Sequence, residues 1–262
     1  MNERAAPLFS IITPAYNAGS KLETTVLSVL AQPSELFEYL VIDGASTDKT
    51  RELLELYRHQ LTSISEPDTG IYDAMNKGIA LAQGKFLYFL GAGDVLRPGA
   101  LEAVNSAASL ENRNQPLLVY GDVYWTPLQQ IYAGPFNRFK LAIQNICHQA
   151  IFYHHEIFKI LGPFDQRYST LADYVLNMRC FARPDIEIQY IPVVVANFEA
   201  GGLSADGDEL FFQERARLIQ KELGLLPLFY WRIKALHFRA RAQRLVKRAL
   251  QVISLSNEEK QK

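Results

Sequence analysis

The chain has 262 residues, 48% of them hydrophobic and 21% charged, with a net charge of −1. That length fits one large domain with a tail, and the composition is that of an ordinary folded protein. The near-zero charge excludes a general attraction to nucleic acid, and no apolar run approaches the roughly 20 residues a spanning helix needs.

The two cysteines, Cys147 and Cys180, follow no metal or redox spacing and read as buried thiols of a reducing, cytoplasmic setting. The N-terminus lacks the apolar core of a signal peptide and enters a strand within about ten residues.

In chain order, Leu8 to Thr13 is a short apolar strand stopped by Pro14. Ser20 and Glu23 match a capping box, S-x-x-E, opening a helix with Leu22, Val26, Val29 and Leu30 on its apolar face. Tyr39 to Ile42 is a buried strand ending in Asp43, and Asp48 is positioned to cap the next helix. Leu61 to Glu66 is a third strand. The stretch Ser65 to Asp94 then places a helix and a fully apolar strand, Phe86 to Leu90, between two acidic loops. Gly84 falls where a helix would end in a left-handed cap. A carboxylate just past a buried strand lies where open α/β sheets bind ligands, so Asp94 is the first candidate site residue.

Beyond it, Pro98 starts a helix carrying Leu101, Val104 and Ala108, and Leu117 to Tyr120 is a strand leading into Gly121 and Asp122. Tyr124 to Asn145 has no clear period and reads as a loop-rich, substrate-side insertion. Ala150 to Tyr153 returns to strand, Ala172 to Arg183 to helix, and Ile186 to Phe198 to strand. A turn at Gly201 to Ser204 leads to a helix from Asp206 to Leu223, with Phe211, Phe212, Ala216 and Ile219 toward the core. The alternation of strand, loop and helix predicts an α/β fold with a largely parallel sheet covered on both faces.

The chain divides into a domain at 1–224 and a tail at 225–262. Pro227 opens the tail as a helix whose apolar residues are Leu228, Trp231, Ala235, Phe238, Ala242, Leu245 and Ala249. No acid occurs between Glu222 and Glu258, while Arg232, Lys234, Arg239, Arg241, Arg244, Lys247 and Arg248 crowd the segment. This is a basic amphipathic helix, suited to a membrane surface; a terminal helix packed on the domain, or a short coiled-coil contact in a homodimer, fits the same pattern.

Three stretches, Ile11 to Asn17, Val41 to Asp48 and the central stretch ending Gly91-Ala92-Gly93-Asp94, occur in an order and spacing that resembles the inverting nucleotide-sugar glycosyltransferases of family 2. The similarity runs from about Leu8 to Ser204 and is closest to the bacterial polysaccharide branch that includes colanic-acid glycosyltransferases. It implies a GT-A fold, a nucleotide diphosphate sugar donor, expected to be UDP-linked, and a saccharide or lipid-linked acceptor. The cysteines and the missing signal core point to the cytoplasm, and the basic tail, which lies outside the similarity, points by its charge to the inner face of the cytoplasmic membrane.

Within that resemblance, Asp43 matches the acid that contacts uracil, although a turn acid is the plain alternative. Tyr16 offers a ring for base stacking, or is a half-buried loop tyrosine, and Pro14 shapes the same loop. Asp68, in Pro-Asp-Thr-Gly, is either turn chemistry or a nucleotide contact. Lys77 is a surface lysine or a point charge for the diphosphate. Asp94 is the one acid kept from the usual Asp-x-Asp metal motif, so Mg²⁺ or Mn²⁺ would be held by one carboxylate, phosphate oxygens and water. Asp173 matches the catalytic base, and a helix N-terminus favours its ionised form; a plain first-turn acid would be stabilised likewise. His148 is a lesser candidate for the acceptor or diphosphate.

A dinucleotide fingerprint fails, because Leu96 stands where a third glycine belongs. A nucleotidyltransferase would need a basic glycine-rich loop, which Ala15 to Ser20 does not supply. A catalytically silent nucleotide-sugar-binding or scaffold protein is the reading from another class.

Overall fold

A computed structural model describes residues 6–198 and 207–237. In order these form β1 Phe9–Ala15, α1 Gly19–Leu30, β2 Phe37–Asp43, α2 Thr50–Leu56, β3 Thr62–Ser65, α3 Ile71–Leu81, β4 Phe86–Phe89, β5 Val95–Leu96 and α4 Ala100–Ala108. There follow β6 Leu117–Trp125, β7 Gln130–Tyr132, α5 Arg138–Ile143, β8 Ile151–His154, α6 Glu156–Leu161, α7 Ala172–Ala182, β9 Glu187–Phe198 and α8 Glu209–Leu218. A helix over 225–237, α9, ends the described chain.

All nine strands form one sheet, ordered β3-β2-β1-β4-β8-β6-β9-β5 with β7 against β6. The first four strands are parallel. Beyond β4 the sheet is mixed: β8 is antiparallel to both β4 and β6, and β9 is parallel to β6. Successive strand residues feed opposite faces. Ile12, Leu40, Ile42, Leu87 and Phe89 join the core under α3, α7 and α8, whereas Ile11, Val41, Phe86 and Tyr88 join the core under α1 and α4. The uncharged runs 39–42 of β2 and Phe86–Phe89 of β4 follow from this double coverage.

Several local expectations are corrected. Pro14 does not stop β1, which runs to Ala15. Ile12 O accepts from Leu90 N on the β4 side, and Ala15 O accepts from Gly44 N on the β2 side, so Pro14 faces the β4 side where that strand has already ended. Its missing N–H therefore costs no ladder bond. The capping box does not form, because Ser20 lies inside α1. The N–H groups of Ala18 and Gly19 are instead satisfied by Thr50 Oγ1, at 2.9 and 3.0 Å. Asp48 does cap α2, accepting from Thr50 N at 3.0 Å.

Gly84 lies past the end of α3. It is needed for close approach: a Cβ there would stand 2.5 Å from the backbone nitrogen of Ser10. Gly121 and Asp122 lie within β6, where a Cβ on Gly121 would meet Val193 O at 2.3 Å. The insertion at 124–145 contains β7 and α5. Phe212 is exposed, unlike Phe211. The expected turn at Gly201–Ser204 and the tail beyond 237 lie outside the described residues. Within α9, Leu228 and Trp231 pack into the core with α5, α7 and α8, so the start of the expected tail is docked on the domain.

Candidate active site

The C-terminal ends of β1, β2 and β4 make one rim, since β1 sits between the other two in parallel register. Asp43 closes β2. It is fully buried, and its carboxylate accepts from Ser46 N, Ser46 Oγ and Ser65 Oγ. These bonds stitch the β2 loop to β3. The β1 loop is fastened to the same turn: Asn17 N donates to Ser46 Oγ, and Thr47 N donates to Asn17 Oδ1.

Gly44 is the floor of the neighbouring hollow. A Cβ there would lie 2.4 Å from Asp68 Oδ2 and 3.3 Å from the Tyr16 ring. Tyr16 and Asp68, far apart in sequence, thus both approach Gly44, where any side chain would make them shift. The Tyr16 ring is largely exposed, and Asp68 also accepts from Gly70 N at 3.0 Å. Lys77 does not extend into open space. Its Nζ donates to Pro67 O at 2.7 Å and pairs with Glu66 at 3.0 Å, fixing the loop that carries Asp68. The Glu66 bond raises the Lys77 pKa, so the ammonium stays charged.

Asp94 is buried just beyond β4. Gln149 Nε2 donates to its Oδ2 at 2.6 Å. Thr25 Oγ1 donates to Asp94 O at 2.8 Å and accepts from Gly93 N at 2.8 Å, so one α1 hydroxyl orders the Gly91–Asp94 turn. Gly91 is packed against the carboxylate, where a Cβ would stand 2.9 Å from Oδ2. Among the described residues no cluster of three or more His, Cys, Asp or Glu side chains could cage a metal ion. The donor set at Asp94 fits a cation carried chiefly by phosphate oxygens, with one protein carboxylate completing its shell.

Asp173 lies in the first turn of α7 and is buried. Tyr72 Oη donates to Oδ1 at 2.8 Å, and Asn145 Nδ2 donates to Oδ2 at 2.7 Å. Asn177 Nδ2 in turn donates to Asn145 Oδ1 at 2.9 Å and holds that amide in place. Burial raises the Asp173 pKa; His148, Tyr72 and Asn145 oppose the shift. The arrangement is that of a carboxylate desolvated enough to be a better base, yet held by donors in its ionised form.

The turn Cys147–Gln149 connects the two acids. Gln149 holds Asp94, while His148 lies within electrostatic range of Asp173. The Cys147 thiol between them feels both negative charges and is pushed far up by burial, which leaves it inert. His148 Nε2 is buried and finds no hydrogen-bond partner among the described residues. An imidazole nitrogen can receive or offer a proton, and this one has no partner among the described residues that uses it.

The structure thus sets Tyr16 against Asp68 beside Gly44, ties Asp173 to α3 through Tyr72 and to the segment holding Asp94 through Asn145 and Gln149, and uses Asp43 and Lys77 to brace the loops. Sequence reasoning missed Gly44, Thr25, Tyr72, Asn145 and Gln149. Only Gly44 left a signal, as the small residue directly after a strand-end acid.

Comparison with known proteins bears on the family and the fold. Residues 10–158 match the family model described as Glycosyl transferase family 2. A PGL/p-HBAD biosynthesis glycosyltransferase of Mycobacterium tuberculosis is 40% identical over 207 residues, covering 76% of this chain and 80% of the relative. The TuaG protein of Bacillus subtilis, named for teichuronic acid biosynthesis, is 39% identical over 100 residues, 37% of this chain and 40% of that protein. Among solved structures, S. aureus TarS 1–349 in complex with UDP-GlcNAc matches with a TM-score of 0.64 at 20% identity, over 82% of this chain and 66% of that one. The mannosyltransferase PcManGT from Pyrobaculum calidifontis, in complex with GDP-Man and Mn²⁺, matches with a TM-score of 0.58 at 18% identity, over 88% of this chain and 65% of that one. The chain thus spans slightly less than two thirds of these structures.

Proposed function

The chain belongs to glycosyl transferase family 2, and from that premise we propose that it moves a sugar from a UDP-linked donor to an acceptor hydroxyl with inversion, in the synthesis of a cell-surface glycan. The observation that carries this reading is the segment 145–149, whose Asn145 donates to the buried carboxylate of α7 at 2.7 Å while its Gln149 donates to the carboxylate beyond β4 at 2.6 Å.

Tyr16 would stack on the base and Asp68 would line the nucleotide side, while the buried Asp43 braces the turn behind them and Pro14 shapes the loop. Lys77 acts by holding the Asp68 loop. A divalent cation, when bound, would supply charge neutralisation at the diphosphate, with Asp94 as its protein ligand. Asp173 takes the proton of the acceptor hydroxyl as that oxygen attacks the anomeric carbon. The bond from the anomeric carbon to the phosphate oxygen breaks, and the nucleoside diphosphate leaves with the electron pair. Single displacement from the opposite face inverts the centre. Tyr72 and Asn145 hold Asp173 for this step, and His148 reaches the entering acceptor or the leaving diphosphate.

The family relatives named for PGL/p-HBAD and teichuronic acid biosynthesis support a saccharide or lipid-linked acceptor. A donor screen over nucleotide sugars, reading released nucleotide, tests the reaction. With the preferred donor, Asp173→Asn should lower turnover by about a hundredfold to ten-thousandfold while donor binding persists. Undiminished turnover in that variant would overturn the assignment of the base.

A further inference from the structure

The helix α9 is apolar on two faces. The face named by its sequence period is spent on the domain: Leu228 is buried and Trp231 packs beside it. Tyr230 meets Phe139 of α5 edge-on at 5.6 Å. The opposite face carries Leu226, Phe229, Ile233 and Leu236, which are 71%, 58%, 52% and 65% exposed. At 3.6 residues per turn these four fall within an arc of about 80°. Arg232 flanks one edge of the arc, His237 and Tyr230 flank the other with Lys234 beyond them, Arg232 and Lys234 are both exposed, and no acid occurs between Glu222 and Glu258. A large apolar stripe in water is unfavourable unless something covers it.

We infer that this second face of α9 rests on an anionic lipid surface, with Leu226, Phe229, Ile233 and Leu236 entering the headgroup boundary and Arg232 and Lys234 meeting lipid phosphates. Charge complementarity selects this occupant. An apolar stripe with exposed cations beside it and no acid on its helix suits acidic headgroups, and long basic side chains keep their charge at the interface while their stems stay apolar. A second copy docked face to face would bring Arg232 and Lys234 against like charges with no acid to pair them. No helix among the described residues is long and apolar enough to cross a membrane, so the contact is along the surface.

The placement deepens the proposed reaction, because α9 is packed beside α5, the element that leads to the acceptor-side base. The Arg215 guanidinium lies 5.6 Å from the Trp231 ring and donates to Ala142 O and Ile143 O at the end of α5. Two residues later Asn145 holds Asp173. A surface seated on α9 therefore lies next to the element that orients the acceptor-side base, as an acceptor carried on a lipid would require.

The test is flotation of the full-length chain with phosphatidylcholine vesicles, with and without phosphatidylglycerol. Wild type should bind the anionic vesicles and bind pure phosphatidylcholine about tenfold less or worse. Phe229→Ser with Ile233→Ser should lose at least about tenfold of the anionic binding, and Arg232→Gln with Lys234→Gln about fivefold per cation. Both variants should keep the wild-type melting temperature and wild-type nucleotide release with a water-soluble acceptor. Equal flotation of the Phe229/Ile233 variant and wild type would overturn the inference. So would absence of wild-type binding, or a wild-type dimer that this variant converts to monomer. Vesicle binding without nucleotide release from any donor would leave this inference standing and reject the reaction.

Discussion

Tyr72 Oη donates to Asp173 Oδ1 at 2.8 Å, joining residues 101 positions apart. Tyr72 starts the helix that follows the Asp68 loop, so this one bond ties the donor-side loop to the acceptor-side carboxylate. Burial holds the tyrosine neutral, its pKa pushed far above the ordinary 10.0, so it stays a donor throughout the working range.

Removing that donor should move the acid limb of the activity profile. Asp173 must be ionised to accept a proton, and the Tyr72 bond lowers its pKa against the larger effect of burial. In Tyr72→Phe the pKa rises further, so the decline of turnover on acidification should begin at a higher pH than in wild type. An unshifted limb in pH–rate measurements would separate Tyr72 from the base.

Asp173→Asn should be compared with wild type by thermal melts across pH. A carboxyl whose folded pKa is raised binds its proton more tightly in the folded chain. The stability that this proton provides is lost as pH climbs from the ordinary value of 3.8 through the raised one. The neutral variant does not suffer that loss, so its melting temperature relative to wild type should rise over that window and then stay level.

Gly44→Ala should weaken the donor without touching the base. The added Cβ would meet the Asp68 carboxylate at 2.4 Å and press on Tyr16, so both must shift. Calorimetry should show UDP binding weakened by about tenfold or more, with the acid limb of the residual activity unchanged.

Thr25→Val keeps the shape of a buried residue and removes the hydroxyl that orders the Asp94 turn. Gly93 N loses its acceptor and Asp94 O its donor. The expected destabilisation is about 1–3 kcal/mol, read by denaturant titration. Half-maximal activity should also need more Mn²⁺ than in wild type, because Asp94 is no longer aimed.

A chelator should reduce nucleotide release in the wild type, and added Mg²⁺ or Mn²⁺ should restore it. Asp94→Asn should raise the cation concentration needed for that recovery. With a single protein carboxylate in the shell, the effect should grow as donor concentration falls. Restoration at the same cation concentration in variant and wild type would remove Asp94 from the metal.

The acids at the ends of β2 and β4, the uncharged runs before them and the turn chemistry after them were all legible, because strand burial and turn preference are properties of neighbouring residues. The same locality explains the errors. Ser20 and Glu23 have capping-box spacing, but Thr50 from the next loop reaches the α1 amides first. Lys77 reads as free for a phosphate, but Glu66 and Pro67 fold back to it.

By itself the amino-acid order determined which segments are buried on both sides, which carboxylates stand at strand ends, and that the last helix is basic. The tertiary structure decided how those carboxylates are held: Gln149 on Asp94 across 55 positions, and Tyr72 and Asn145 on Asp173. It also decided which apolar face of α9 is consumed by the core and which is left over. The reason is physical: periodicity records one element's own geometry, whereas a hydrogen bond between distant side chains, or the choice between two apolar faces, exists only once the elements pack.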